Sequence, residues 1–156
     1  MANWCDFYMD VKCATSRGAE ELFDDLKLRQ SIADEKDEGM FIGSAKRYLF
    51  FGESDINKGS VILKGSVKWC VHPEEFEDMV NFVLDRTAVN SIKLEYEELG
   101  CGEYGEFLYK DDKIIHKYIP YDVLVNELPE DGELYPTLFR LMDHKAVTEV
   151  VKTYGS

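Results

Sequence analysis

The chain has 156 residues, 45% of them hydrophobic, and 18 basic against 31 acidic side chains give it a formal charge of −13. That length suits one packed core rather than two, and the charge repels phosphate backbones and anionic membrane surfaces across a Debye length of about 8 Å. Direct binding to nucleic acid or to a membrane is therefore not expected, whereas a partner protein with a basic groove is; the competing explanation is that excess acid keeps a small protein soluble.

Residues 3–13 form the clearest strand, with Cys5, Phe7, Met9, Val11 and Cys13 on one face and Asp6, Tyr8, Asp10 and Lys12 on the other. Thr15 or Ser16 then offers a capping oxygen to a helix whose buried stripe is Ala19, Leu22, Phe23 and Leu26. The outer face of that helix carries Glu20, Glu21, Asp24 and Asp25. A charged turn, Asp34 to Gly39, precedes a second predicted strand over about residues 40–51. A third strand places Val61, Leu63, Val67, Trp69 and Val71 in one phase.

His72-Pro73-Glu74-Glu75 is a helix start, because proline at the first helical position loses no hydrogen bond and acids follow at the positive helix end. Phe76, Met79, Val80 and Val83 make the apolar stripe, and Glu74, Glu75, Glu77 and Asp78 add to the acidic helical surface. Ile92, Leu94 and Tyr96 then alternate with Lys93, Glu95 and Glu97 in a fourth strand. Gly100, Gly102 and Gly105 are expected to supply the positive φ of a bulged reversal, and Asp111-Asp112 the next turn. Prolines 120, 129 and 136 punctuate a connector with room for one short helix, Tyr121 to Leu128. From 136 to 154 the spacing of Leu138, Leu141, Met142, Val147, Val150 and Val151 predicts a helix, with a strand at the three valines as the alternative.

The order strand, helix, strand, strand, helix, strand is that of the ferredoxin-like split β-α-β domain, an α+β fold whose first and third strands are central. The expected organisation is a single domain: a ferredoxin-like core over 1–98, a hairpin extension over 99–118, and a proline-punctuated connector with a C-terminal helix over 119–156. Asn3-Trp4-Cys5, Gly65-Ser66-Val67-Lys68-Trp69 and Gly100-Cys101-Gly102-Glu103-Tyr104-Gly105 together resemble the YubB-type ferredoxin-like proteins of plasmids and phages, over roughly residues 1–110. The resemblance implies a mobile-element protein with an accessory or counter-defence role, and carries no catalytic residues.

Chemistry-bearing groups are sparse. Cys5, Cys13, Cys70 and Cys101 form no C-x-x-C pair and are expected to stay reduced. His72 reads as a helix-start residue, and His116 and His144 stand alone, so neither a catalytic set, nor a metal site, nor a cofactor site is expected. The glycine turn leads into a strand where a dinucleotide-binding motif needs a helix N-terminus. A sheet of this type can stack single-stranded RNA, but the net charge has the wrong sign. No apolar run is long enough to span a bilayer and no signal peptide is evident, so the expected location is the cytoplasm.

What remains is acid without a local structural reason. Glutamate is disfavoured in strands, yet Glu95, Glu97, Glu98, Glu103, Glu106, Asp111 and Asp112 crowd residues 92–112 against only Lys93 and Lys110. With Tyr96 and Tyr104 adding aromatic area, this stretch is the expected partner-binding surface, mimicking a phosphate row to block a nucleic-acid-binding groove of a restriction or CRISPR-type complex. The helical acids Glu20, Glu21, Asp24, Asp25, Glu74, Glu75, Glu77 and Asp78 form a secondary face, explained in part by helix dipoles. The alternatives are a non-inhibitory structural or adaptor protein and, ranked below it, a small-ligand or RNA-binding ferredoxin-like domain. Pairing between copies through an exposed strand edge stays open.

Overall fold

The computed structural model describes residues 4–36, 59–68, 71–98, 103–119 and 148–155. They form an α+β fold in the order β1 (Trp4–Cys13), α1 (Ser16–Glu35), β2 (Ser60–Lys68), α2 (Pro73–Leu84), β3 (Val89–Glu98), β4 (Glu103–Lys110), β5 (Lys113–Tyr118) and β6 (Thr148–Thr153). The six strands make one antiparallel sheet ordered β2-β1-β3-β4-β5-β6.

Each early element forms for the reason its residues suggest. The five apolar side chains of β1 are all buried, and Val11 lies opposite both Val61 and Ile92, Met9 opposite Leu63 and Leu94. Thr15, in extended conformation, caps α1 by accepting a hydrogen bond from the Gly18 N–H at 3.0 Å. Ala19, Leu22, Leu26 and Ala33 bury one stripe of that helix, while Leu28 and Ile32 face water. At α2, Pro73 occupies the first turn and Glu75 reaches back to accept from the His72 N–H at 3.2 Å. Phe76, Met79, Val80, Phe82 and Val83 are buried beneath it.

Both helices share one core with one face of the sheet, α1 over β1 and β2, α2 over β3 and β4. Phe76 of α2 stacks on Phe107 of β4 with centroids 4.9 Å apart, both rings fully enclosed. Burial of a side chain of this size contributes about 1.5–3 kcal/mol.

Several expectations are corrected. Gly105 sits inside β4, opposite Tyr96 and Tyr118, and among the described glycines only Gly59 and Gly155 have positive φ. Its role is spatial: a Cβ there would stand 2.5 Å from Tyr96 Oη and 2.8 Å from the Lys117 carbonyl oxygen. Thr148–Thr153 is a strand, not the end of a helix. Two adjacent valines and two threonines favour extended backbone, and β5 offers an edge whose hydrogen bonds a helix would leave unused. β2, expected to be central, ends the order of described strands. The predicted strand at 40–51, the short helix at 121–128, the rest of the predicted C-terminal helix, and Cys70, Cys101, Gly100 and Gly102 lie outside the described residues.

Candidate interaction surface

The sheet face away from the helices holds Glu95, Glu97 and Glu106, and the strand register fixes their neighbours. One row crosses all six strands: Lys64, Tyr8, Glu95, Glu106, Lys117, Glu149. Glu95 and Glu106 are directly opposed, which alone is repulsive. Lys93, one row away on the same face, reconciles them, its Nζ lying 3.1 Å from Glu95 and 3.6 Å from Glu106. Burial opposes the charge on Lys93, but the Glu95 hydrogen bond and the charges of both glutamates prevail and raise its pKa. Lys117 lies 3.8 Å from Glu149 in the same row.

The acidic strand is thus part of a balanced face. The six strands together contain eight lysines, no arginine and eight acids, a net charge of zero. The two helices contain three basic residues and ten acids, a net −7. The excess acid of the described elements lies in the helix layer.

The expected contact residues divide accordingly. Tyr96 is only 6% exposed: it stacks on Phe107 at 5.6 Å, and its Oη lies 2.9 Å from His116 Nε2, so it offers a partner no contact area. Tyr104, Glu97, Glu95 and Glu106 are partly exposed, and the side chains of Glu98 and Glu103 lie outside the described residues. Asp111 and Asp112 form the β4–β5 turn, both with positive φ, and Asp112 accepts a hydrogen bond from Tyr109 Oη at 3.2 Å.

In the helix layer, Glu20, Asp24 and Glu74 are exposed, and Glu21 is exposed and paired with Arg17 at 3.1 Å. Asp25 instead ties the helices together, accepting from Arg86 at 2.8 Å and Arg29 at 3.1 Å. Burial would raise its pKa, but the hydrogen bonds and charges of the two arginines hold it below the ordinary value. Both guanidinium groups lie over the Phe82 ring, at 3.6 Å for Arg86 and 4.7 Å for Arg29. Glu75 is buried at the α2 start, Glu77 is taken by Lys152 at 2.6 Å, and Asp78 is half-buried. These spatial pairings carry no local sequence signal, because Arg86 and Asp25 are 61 residues apart and Lys152 and Glu77 are 75 apart.

His116, which the sequence presents as a lone structural or surface group, is half-buried and packs against the edge of the core. Its ring stacks on Phe107 at 4.0 Å and tilts against Tyr118 at 4.9 Å, and desolvation pulls its pKa down to about 4. A neutral imidazole sandwiched among rings, with Tyr96 as its hydrogen-bond partner, is a packing element. Cys5 and Cys13 are buried, and burial raises the pKa of the Cys13 thiol. No group of three or more candidate metal ligands, and no helix long and apolar enough to cross a membrane, occurs among the described residues.

Comparison with known protein families, with curated protein sequences and with solved structures found no match to the chain.

Proposed function

We propose that this protein is an acidic interaction module that binds a basic protein surface through its helix layer. The observation that carries the reading is the division of charge between a neutral set of strands and two helices at net −7. This moves the contact surface from the β3–β4 hairpin to exposed acids such as Glu20, Asp24 and Glu74. Charge of one sign concentrated on one layer attracts a basic partner and excludes nucleic acid from the groove it fills. The resemblance to mobile-element proteins gives the reading its direction: an inhibitor of a host nucleic-acid-handling defence complex, acting without catalysis in the cytoplasm. A ferredoxin-like core is part of the proposal, supported by β1 lying between β2 and β3, antiparallel to both, with a helix following β1 and another following β2.

The test is capture of a partner from host lysate on the immobilised chain, followed by titration with salt and with DNA and RNA. Binding should weaken steeply with salt and be displaced by nucleic acid. Combined Glu20→Gln, Asp24→Asn and Glu74→Gln should leave folding intact and weaken binding by about 1–3 kcal/mol. Combined Glu95→Gln, Glu97→Gln and Glu98→Gln should weaken it less. Salt-insensitive binding, or nucleic acid and this protein held together in one groove, refutes the mechanism.

A further inference from the structure

We propose that the sheet face away from the helices carries a phosphate-binding site made by Lys12, Ser91, Lys110 and Lys113, at the end of the sheet marked by the β4–β5 turn. The register sets these residues side by side. Lys12 of β1 lies opposite Ser91 of β3, and Lys110 of β4 lies opposite Lys113 of β5. Continuing the Ile92↔Tyr109 pairing by one residue puts Lys110 beside Ser91, so the four form one row across four strands. All three lysines are exposed. With strands about 4.8 Å apart, Lys12 and Lys110 stand roughly 10 Å apart with Ser91 between them, and side chains of that length can converge on one anion.

Like charges directly opposed across strands repel, and the sheet resolves one such pair and leaves this one unresolved. Glu95 and Glu106 are bridged by Lys93. Among the described residues, no carboxylate pairs with Lys110, Lys113 or Lys12. The acids nearest the row are committed elsewhere or stand apart from it. Tyr109, buried on the helix side, donates to Asp112 at 3.2 Å and draws that carboxylate toward its own face of the sheet. Asp111 is exposed in the same turn and pairs with neither lysine. Asp10, two residues before Lys12 on the same face, is half-buried, and its Oδ1 meets no donor among the described residues, Lys12 included. The Ser91 hydroxyl is equally unspent among them. Three ammonium groups and a hydroxyl in one row suit a tetrahedral oxyanion, whose oxygens accept from all four. The −13 of the whole chain disfavours a polyanion, but charges beyond a Debye length of about 8 Å are screened, so a single phosphate at the row answers first to its lysines. That phosphate is either the free ion or the terminal group of a small phosphomonoester.

The test is an NMR titration of the isotope-labelled, full-length chain with inorganic phosphate at constant ionic strength, with chloride as the control. The amides of Lys12, Ser91, Lys110 and Lys113 should shift saturably with phosphate and stay in place with chloride. Glycerol phosphate separates the two sources: tighter binding than inorganic phosphate assigns the site to a phosphorylated molecule, and equal or weaker binding assigns it to the free ion. Lys110→Gln and Lys113→Gln should each weaken phosphate binding about threefold to tenfold. Lys117→Gln should leave it unchanged, because Lys117 is already paired with Glu149. Since the opposed lysines repel, Lys113→Gln should also be at least as resistant to urea as the wild type without phosphate, and should gain less resistance when phosphate is added. No saturable shift with phosphate, an equal response to chloride, or undiminished binding by the folded Lys110→Gln, Lys113→Gln double variant overturns the proposal.

Discussion

Gly105→Ala isolates packing from backbone conformation, because the residue lies in a paired strand and its φ is not among the positive values. If space were irrelevant, alanine should be the better strand residue by about 0.5–1 kcal/mol. The structure predicts the opposite sign. The added methyl would meet Tyr96 Oη at 2.5 Å, Tyr96 Cζ at 2.7 Å and the Lys117 carbonyl oxygen at 2.8 Å, so ring and backbone both obstruct it. Tyr96 cannot yield freely, since its ring packs on Phe107 and its hydroxyl meets His116 at 2.9 Å. Overpacking of this kind costs about 1–3 kcal/mol, and loss of the hydroxyl's hydrogen bond about 0.5–1.5 more. Offset by the alanine preference, the net loss should be about 2 kcal/mol, read as a lower urea midpoint at unchanged slope and a melting temperature lower by roughly 4–8 °C. Combining it with Tyr96→Phe should recover only part of the loss, because Cζ and the Lys117 carbonyl remain in the way. Gly105→Ala at or above wild-type stability would falsify the steric account.

Three further outcomes follow from named contacts. His116 is held neutral with a pKa of about 4 against an ordinary 6.5, so its contribution to stability is complete above 6.5 and is lost as pH falls toward 4. Urea midpoints should therefore drop through that window in the wild type and drop less in His116→Phe; equal slopes refute the assignment. Asp111, at φ 51°, should accept glycine with little change but lose about 1–2 kcal/mol as Asp111→Val, measured by chemical denaturation, and a neutral valine variant would remove the left-handed turn from the explanation. Asp25→Asn should cost up to about 1 kcal/mol at neutral pH, the pair being partly exposed, and the difference from wild type should vanish as pH falls through the lowered Asp25 pKa; an undiminished difference in acid would rule out the ion pair.

The legible parts of the fold were those decided within one element. The alternation of β1, the Thr15 cap and the Pro73 start are settled by neighbours a few residues away, and local physics suffices for them. β6 is harder because Val147, Val150 and Val151 satisfy both a helical and an extended spacing, and the decision belongs to β5, whose paired residues lie about 30–40 positions upstream. Gly105 misled for a related reason: glycine near a reversal suggests positive φ, whereas here it makes room for Tyr96 on the adjacent strand. The charge balance of the sheet was not legible because charge was summed along the chain. Lys93 does lie within the acidic stretch, but Lys64 and Lys117 join the same row only through the register, and Arg86 reaches Asp25 only when the helices pack.

The contacts of β6 with α2 also bear on the order of assembly. Lys152 and Tyr154 fasten to Glu77 and Asn81, partners 75 and 73 residues earlier, while the Tyr154 N–H donates to the Asp112 carbonyl oxygen at 2.8 Å. The β3–β4–β5 meander closes short loops and reaches its native pairing early, whereas contacts this distant in sequence close late. Lys152 and Tyr154 thus latch α2 once it has settled on the sheet. The latch should be the first part to open on the way back, and amide exchange along β6 should outpace that in β1, which has a strand on either side.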